Sequence, residues 1–207
     1  VSEIYLSLPD KIEHGSVQKE DIELATKQWL LDQSYKSPLF VPTYQAAIDS
    51  MKSFVAMALG DETISLDFWI GQVWRHCQPT IYDALSHNKC NDDVFASIVK
   101  IDESTKRYSY GPPVESIQQM IALVEAGVLT LDFVNDPDIK LTENGWELSA
   151  NNKTITASVM IDSVIDSPKV KAVTAPLVRT LLADDIMQAV HSDLGISTDE
   201  YGYLQSD

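Results

Sequence analysis

The stretch "YGPPVESIQQMIALVEAGVLTLDF", Tyr110 to Phe133, marks the point at which the chain changes from helix to strand. Pro112 and Pro113 preset the backbone angle of a first helical turn, and Gly127 is the residue type at which helices commonly end. Between them, apolar residues at helical spacing predict a buried face of Ile117, Met120, Ile121 and Val124. After Gly127 the apolar residues alternate, as they do in a strand. The stretch therefore predicts a helix that leads directly into β structure.

A helix start of this kind is also a common position for a phosphate-binding turn, because its free N–H groups and its dipole attract anions. Here Pro112 and Pro113 have no N–H to donate, and Glu115 adds a negative charge to the first turn. The eight glycines of the chain lie at positions 15, 60, 71, 111, 127, 145, 195 and 202. None has another glycine within five residues, which excludes the G-x-G-x-x-G turn, the P-loop and the G-x-S-x-G nucleophile elbow. The helix is therefore interpreted as a packing element.

The sequence before this stretch predicts mostly helix. The segment "SVQKEDIELATKQWLL" has Ser16 as a start signal and places Ile22, Ala25 and Trp29 on one face. The segment "PTYQAAIDSMKSFVAMALG" follows a Pro-Thr pair and ends at Gly60. Each segment offers a single apolar face to a core.

A third helix is predicted for "SLDFWIGQVWRHC", whose apolar stripe consists of Leu66, Trp69, Ile70, Val73, Trp74 and Cys77. We expect this helix to break before Pro79, because the residue preceding a proline avoids helical angles. A short helix around Ile81–Leu85 and another over Asn91–Ile101 are then expected.

The sequence after Gly127 predicts a small antiparallel sheet. The segments "VLTLDFV", "IKLTE", "WELSA" and "TITASVMIDSVI" alternate or are rich in β-branched residues. Asn144-Gly145 is the strongest short-range hairpin signal. The tail returns to helix at "TAPLVRTLLADD", with Thr174 as a cap and Pro176 in the first turn, and "ISTDEYGYL" predicts a last hairpin.

These segments together predict a mixed α+β fold. A helical lobe is expected over residues 1–110 and an α/β lobe over residues 111–207, packed as one domain because no flexible linker separates them. The chain begins at Val1 and stops after "GYLQSD", and we expect it to be a piece of a longer protein.

The composition narrows the choice of partners and compartment. A formal net charge of −16 argues against binding to nucleic acid, which needs clustered Lys and Arg. The longest apolar runs fall far short of the ~20 residues that cross a bilayer, so no membrane segment is expected. Two cysteines are too few for a disulfide scaffold, which predicts a reducing, cytoplasmic setting.

A candidate metal site lies in "HCQPTIYDALSHNKC", which contains His76, Cys77, His87 and Cys90. His87 and Cys90 have a spacing that zinc sites use. His76 and Cys77 are neighbours, and on a helix neighbours point about 100° apart, so both reach one ion only if the helix ends at Pro79. Cys77 also belongs to the apolar stripe, where a small buried cysteine is common. The sequence therefore favours no metal, with these four residues as the weak candidates.

The segment "RYSYGPP", Arg107 to Pro113, is the loop most suited to touching a ligand. Tyr108 and Tyr110 are the weak cofactor-binding candidates, since a tyrosine ring stacks and its hydroxyl forms hydrogen bonds. A packed loop is the alternative. The acidic pairs Asp184-Asp185, "NDPD" at 135–138 and "TDE" at 198–200 are better explained as caps and turns than as catalytic carboxylates. No catalytic residue is assigned.

Three segments resemble bacterial FAD/NAD(P)-binding oxidoreductase-like proteins. In that family a Gly-Pro-Pro opens a helix similar to "YGPPVESIQQMIALVEAGVL", and strands follow. "SVMIDSVIDSPKVKAVTAPLVRTLLADDIMQAVHSDLGISTDEYGYL" resembles the family's later portion, and "WIGQVWRHCQPTIYDAL" is more loosely similar to a Trp- and Arg-containing helical region. The resemblance covers roughly residues 66 to 206, in the family's order.

The resemblance implies that the chain forms the substrate- or nicotinamide-facing region of an oxidoreductase. FAD and NAD(P) are implied for the whole protein, but no cofactor is expected in this chain, because the family's G-x-G-x-x-G motif is absent and "SVMIDSVIDSP" lacks the usual Thr-Gly. The implied partner is the FAD-binding remainder of the same polypeptide. The alternative is a non-catalytic acidic helical/β protein-interaction module, in which Trp69 and Trp74 meet a protein partner.

Overall fold

The computed structural model of the protein describes residues 1–9, 17–88, 90–161, 163 and 169–205, apart from the side chains of Arg107 and Ser109. Its helices are α1 Ser2–Ser7, α2 Lys19–Leu31, α3 Ala47–Leu59, α4 Leu66–Leu85, α5 Asp92–Ser109, α6 Val114–Glu125 and α7 Pro176–Ala183, with a 3-10 turn at Val170–Ala172. Its strands are β1 Asp138–Thr142, β2 Gly145–Ala150, β3 Lys153–Ala157, β4 Ala189–Val190 and β5 Gly195–Ile196. The predicted mixed α+β class is confirmed.

The chain divides into two compact units, each made of two segments. Unit one comprises Val1–His76 and Thr105–Asp162, and unit two comprises Cys77–Ser104 and Ser163–Asp207. The boundaries fall inside α4 and α5. This division differs from the single cut at residue 110 that the sequence predicted.

The core of unit one forms around helix α2. Its predicted apolar face is confirmed, because Ile22, Ala25 and Trp29 are all buried. The predicted start signal, Ser16, lies outside the described residues. Instead, Gln18 and Asp21 form a capping box at the start of α2. The other buried members of this core are Tyr5, Leu39, Phe40, Leu66 and Ile70.

Helix α4 continues through Pro79 for 20 residues, so the predicted break was wrong. A proline inside a helix removes one backbone hydrogen bond and costs about 3 kcal/mol. In unit two, however, Gln78 Nε2 donates to Asp102 Oδ1 at 3.1 Å and Tyr82 Oη donates to Asp102 Oδ2 at 2.9 Å. Gln78 and Tyr82 lie one turn apart, on either side of Pro79, so both bonds require an unbroken helix. The hydrogen bonds to Asp102 offset the free-energy cost of a proline inside the helix.

Three further expectations about helices need correction. The predicted short helix at Ile81–Leu85 is the end of α4, and the helix expected to stop at Ile101 continues to Ser109 as α5. On the stripe of α4, Leu66 and Ile70 are buried, whereas Cys77 is exposed. Helix α1 was not predicted, although Tyr5 fills the core and donates from its hydroxyl to the carbonyl of Ile64 at 3.0 Å.

Helix α6 starts after Pro113, as predicted, and packs against α3 within unit one. Its predicted inner face is only half-buried, and Met120 is exposed. The strand expected at "VLTLDFV" does not form, because its backbone closes the helix instead. The N–H groups of Val128 and Leu129 both donate to the carbonyl of Leu123, at 3.0 and 3.1 Å. In a strand, the N–H groups of Val128 and Leu129 would be needed for hydrogen bonds to a neighbouring strand.

The three strands β1, β2 and β3 form an antiparallel sheet in unit one. The predicted hairpin at Asn144-Gly145 is confirmed, with Thr142 opposite Gly145. A second hairpin turns at Asn151 and Asn152, which both have positive φ angles, as a type I′ turn requires. The segment "TITASVMIDSVI" forms strand β3 only as far as Ala157, and its residues 162, 164 and 165 are not described.

The register places the apolar side chains of this sheet on one side. Residues directly opposite each other share a face, and alternate residues of one strand do so as well. The paired residues Ile139, Leu148 and Ile155 form one row, and Leu141, Trp146 and Ala157 form the next. We call these six residues the apolar sheet face. Ile139, Leu141 and Ile155 are exposed.

Unit two contains α7 and two short hairpins. Pro176 occupies the first turn of α7 as predicted, but the N-cap residue is Ala175 rather than Thr174. The last predicted hairpin is confirmed by a bridge between Thr198 and Leu204. Asp199 Oδ1 accepts from the N–H groups of Tyr201 and Tyr203 there, so this acidic residue serves a turn. Across the described residues, no helix is both long and apolar enough to cross a bilayer.

Candidate functional site

Unit one contains a cavity of about 620 Å³, within the size range of small-molecule sites. Its wall is formed by the end of α2, the segment from Gln33 to Tyr44, part of α3, the turn before α4, and α5. Five aromatic residues line it, namely Trp29, Tyr35, Phe40, Tyr44 and Tyr108. We call this cavity the aromatic pocket.

The segment "QSYKSPLFVPTY", residues 33–44, is held in place by hydrogen bonds at its start and in its middle. At its start, Asp32 Oδ1 accepts from the N–H of Ser34 at 2.9 Å. Hydrogen bonds from Ser34, first from its side chain and then from its backbone, hold the pKa of Asp32 below its usual value. Further along, the carbonyl of Leu39 accepts from the N–H of Leu66 at 2.7 Å, which ties the segment to the start of α4. The pocket wall is therefore an ordered turn structure.

Tyr108 reaches the aromatic pocket from helix α5 and is anchored by Asp67. The Tyr108 hydroxyl donates to Asp67 Oδ2 at 3.1 Å, and the backbone N–H of Val41 donates to Asp67 Oδ1 at 3.2 Å. Asp67 is only 2% exposed. A buried carboxylate must be satisfied by hydrogen bonds, so Asp67 fixes both the tyrosine and the pocket segment in position.

The rings of the aromatic pocket meet at steep angles. The ring centroids of Trp29 and Tyr108 lie 5.2 Å apart and their planes meet at 65°. The ring centroids of Tyr35 and Phe40 lie 6.3 Å apart and their planes meet at 70°. Such edge-to-face pairs are favourable because the positive edge of one ring meets the negative face of the next. The arrangement leaves ring faces of several orientations around one cavity.

The charged residues in the lining of the pocket are Lys36 and Glu62. The ammonium group of Lys36 lies 5.9 Å from the centre of the Tyr44 ring, which is a cation–π distance. The rest of the lining is aromatic, aliphatic, hydroxyl-bearing or amide-bearing. Chemically, this suits recognition of a flat ring better than proton transfer.

The two predicted tyrosines have different positions. Tyr108 lines the aromatic pocket, but it lies in α5 and not in a loop, so the predicted loop at residues 107–113 begins later than expected. Tyr110 follows the helix and is 58% exposed. Sequence patterns missed Trp29, Tyr35, Phe40 and Tyr44. The signal for Tyr35, Phe40 and Tyr44 was the density of aromatic residues and prolines in "QSYKSPLFVPTY".

The candidate metal ligands lie on surface positions. His76 and Cys77 are exposed on the uninterrupted helix α4, so the helix end that would have let both reach one ion does not exist. His87 is exposed with a positive φ of 54°, and Cys90 is half-buried. Within the described residues, no three His, Cys, Asp or Glu side chains come together as a metal ion would require.

Unit two contains a second polar cluster, which the sequence did not predict. His191 Nδ1 lies 3.3 Å from Asp92 Oδ1, and Ser192 Oγ donates to Asp92 Oδ2 at 3.0 Å. The imidazole stacks on the ring of Phe95, with 4.3 Å between the ring centroids and 8° between the ring planes. Histidine and serine both contact the same carboxylate, and this differs from a catalytic triad, in which the serine contacts the imidazole. The cluster ties the β4–β5 turn to the start of α5.

A comparison of the chain with known protein families, characterised proteins and solved structures found no match.

Proposed function

We propose that the chain forms the substrate- or nicotinamide-facing region of an FAD/NAD(P)-dependent oxidoreductase and works in the cytoplasm. The aromatic pocket is its ligand site and receives the flat ring that exchanges electrons with the flavin. One observation carries this proposal: five aromatic side chains surround a cavity of about 620 Å³ while a buried carboxylate fixes one of them. Both cysteines are free thiols, in keeping with a reducing compartment.

The described residues suit the ring of such a cofactor and not its pyrophosphate. A dinucleotide pyrophosphate is usually held by N–H groups of a glycine-rich turn at a helix start. Helix α6 instead follows Pro112 and Pro113, and Lys36 is the cation in the pocket lining. Tyr35 and Tyr108, which are only partly buried, would hold a nicotinamide or substrate ring, while the flavin would supply the redox chemistry from elsewhere.

Calorimetric titrations of the purified chain with nicotinamide, NAD and FAD test this assignment. We expect saturable binding of nicotinamide that weakens when Tyr35→Ala shortens the pocket wall, and no binding of FAD. Tyr110→Ala, on an exposed residue outside the pocket, is the matched control and should leave nicotinamide binding unchanged. Stoichiometric FAD in the purified chain, or the absence of any ring binding, would contradict the proposal.

A second candidate, a non-catalytic protein-interaction module, is favoured by the apolar sheet face. Leu141 is 70% exposed and lies beside Trp146 on that face. Exposed apolar patches of this kind commonly mark protein interfaces. The predicted interface at Trp69 and Trp74 has weaker support, because Trp69 packs against the core of unit one.

Light scattering after size-exclusion chromatography distinguishes the two candidates. If the apolar sheet face binds protein, the wild-type chain should associate as its concentration rises, and Leu141→Thr should reduce that association. Lys140→Thr changes the opposite face of the same strand and serves as the control. A chain that stays monomeric at all concentrations would remove the support for this candidate.

A further inference from the structure

We propose that the aromatic pocket selects a positively charged flat ring, a pyridinium, over a neutral ring of the same shape. This inference rests on the proposed function, since it specifies the charge of the ligand for the same pocket. Three features carry it: the ring faces of the wall, the buried carboxylate behind Tyr108, and the charge balance of the lining and the chain.

The first feature is that the pocket already accommodates a cation against a ring. The Lys36 ammonium lies 5.9 Å from the centre of the Tyr44 ring. The face of an aromatic ring carries negative potential and attracts cations, most strongly where water is excluded. Tyr35 and Tyr108 also line the pocket and are only partly buried. The wall is thus a set of cation-attracting surfaces.

The second feature is the carboxylate of Asp67. Among the described residues, no Lys or Arg side chain forms an ion pair with it, and it accepts hydrogen bonds from the neutral N–H of Val41 and the hydroxyl of Tyr108. A hydrogen bond donated to a carboxylate polarises the phenol and makes its oxygen and ring more negative. Because Asp67 is buried, its charge is poorly screened by solvent. Its negative potential therefore reaches the pocket through the Tyr108 wall.

The third feature is the balance of charge. In the pocket lining, Lys36 and Glu62 offset each other, so the buried Asp67 leaves the surroundings negative. The whole chain carries a formal net charge of −16, which raises the local concentration of cations. An anionic ring would meet repulsion from both sources, and a neutral ring would gain nothing from them.

For a nicotinamide ligand, this charge preference distinguishes the two redox states of the ring. The oxidised nicotinamide ring is a pyridinium cation, whereas the reduced dihydropyridine ring is neutral. The pocket should therefore bind the oxidised form more tightly than the reduced form. The same rule would favour any substrate whose flat ring carries a positive charge.

The test compares 1-methylnicotinamide, which is a pyridinium cation, with nicotinamide, which has nearly the same shape and no charge. Isothermal titration calorimetry of the intact chain should show about tenfold tighter binding of the cation. Asp67→Asn should reduce that preference several-fold, because it removes the negative charge, and it should weaken binding of the cation more than binding of nicotinamide. A higher salt concentration should weaken binding of 1-methylnicotinamide and should not affect binding of nicotinamide.

Lys36→Met provides a second variant, on an exposed side chain. Removing the resident ammonium should tighten binding of 1-methylnicotinamide more than binding of nicotinamide, so the charge preference can be tested even if Asp67→Asn does not fold. Equal affinities for the two probes, or tighter binding of nicotinamide, would overturn the charge preference and leave the ring-binding function intact. Failure of both probes to bind would overturn the proposed function itself.

Discussion

Gly71 of helix α4 and Tyr108 of helix α5 approach each other so closely that a side chain at position 71 has no room. A Cβ atom built on Gly71 would lie 2.4 Å from Cβ of Tyr108. The glycine therefore lets α5 come near enough for Tyr108 to reach both Asp67 and the aromatic pocket. The position of the candidate site depends on this contact.

Gly71→Ala should destabilise the protein by about 1–3 kcal/mol, the usual cost of forcing extra volume into a packed contact. Helix propensity alone predicts the opposite, since alanine is favoured over glycine by about 1 kcal/mol in a helix. Urea unfolding followed by circular dichroism measures the change. Gly195→Ala is the control, because its Cβ would meet its nearest neighbour at 3.4 Å, an ordinary contact. Equal stability of the Gly71→Ala variant and the wild type would show that the helices are not this close.

Tyr108→Phe should lower the free energy of unfolding by about 1–3 kcal/mol, because the buried Asp67 carboxylate loses a hydrogen-bond donor. The ring stays in place, so binding of a neutral ring in the pocket should persist. The measurement pairs urea unfolding with nicotinamide titration. Tyr110→Phe removes the same hydroxyl from a residue that is 58% exposed and should change stability by less than about 0.5 kcal/mol. Similar losses in both variants would argue against an anchoring role of Asp67.

Local features of the fold were predictable from the sequence, because neighbouring residues determine them. The buried face of α2 followed from the spacing of Ile22, Ala25 and Trp29, and the end of α3 followed from Gly60, which has the expected positive φ of 81°. The second hairpin could have been recognised as well, since asparagine tolerates the left-handed angles that Asn151 and Asn152 adopt.

The errors arose where distant contacts outweigh local preference. Asp102 accepts hydrogen bonds from Gln78 and Tyr82, which lie on either side of Pro79. The sequence around Pro79 does not indicate a partner so far along the chain. The aromatic pocket was hidden for the same reason. Trp29 and Tyr108 come from the two separate chain segments of unit one, and no spacing rule links them. A ligand site of this kind is a property of tertiary packing.

Lys153 of β3 controls the ionisation of Asp132. A hydrogen bond of 2.7 Å from the Lys153 ammonium, as the largest cause, holds the pKa of Asp132 below the usual 3.8 of an aspartate. A carboxyl whose pKa is lower in the folded state stabilises that state above its unfolded pKa, and the contribution is lost as pH falls through the folded pKa. The Asp132 contribution should therefore be present above pH 3.8 and should be lost as the pH falls from there through the lower pKa of the folded state.

Lys153→Gln should raise the pKa of Asp132 towards 3.8, as measured by NMR titration of its carboxyl carbon. Both side chains are largely in solvent, so added salt should produce part of the same rise in the wild type. Lys140→Gln, on strand β1 of the same sheet, is the matched control and should leave the titration of Asp132 unchanged. A low pKa that survives Lys153→Gln would assign the effect to another cause.

Pro79→Ala is expected to stabilise the protein by roughly 1–3 kcal/mol, because the alanine N–H restores the missing helical hydrogen bond. Part of the gain is offset, since alanine also gives the unfolded chain more freedom than proline does. The side chain of Pro79 is exposed, so no packing is lost. Thermal and urea unfolding measure the gain, and Thr80→Ala, at the adjacent exposed position, should change stability by no more than about 0.7 kcal/mol. If Pro79→Ala destabilised the protein, the hydrogen bonds from Gln78 and Tyr82 to Asp102 would depend on the helix geometry that the proline imposes. The proline would then support this network.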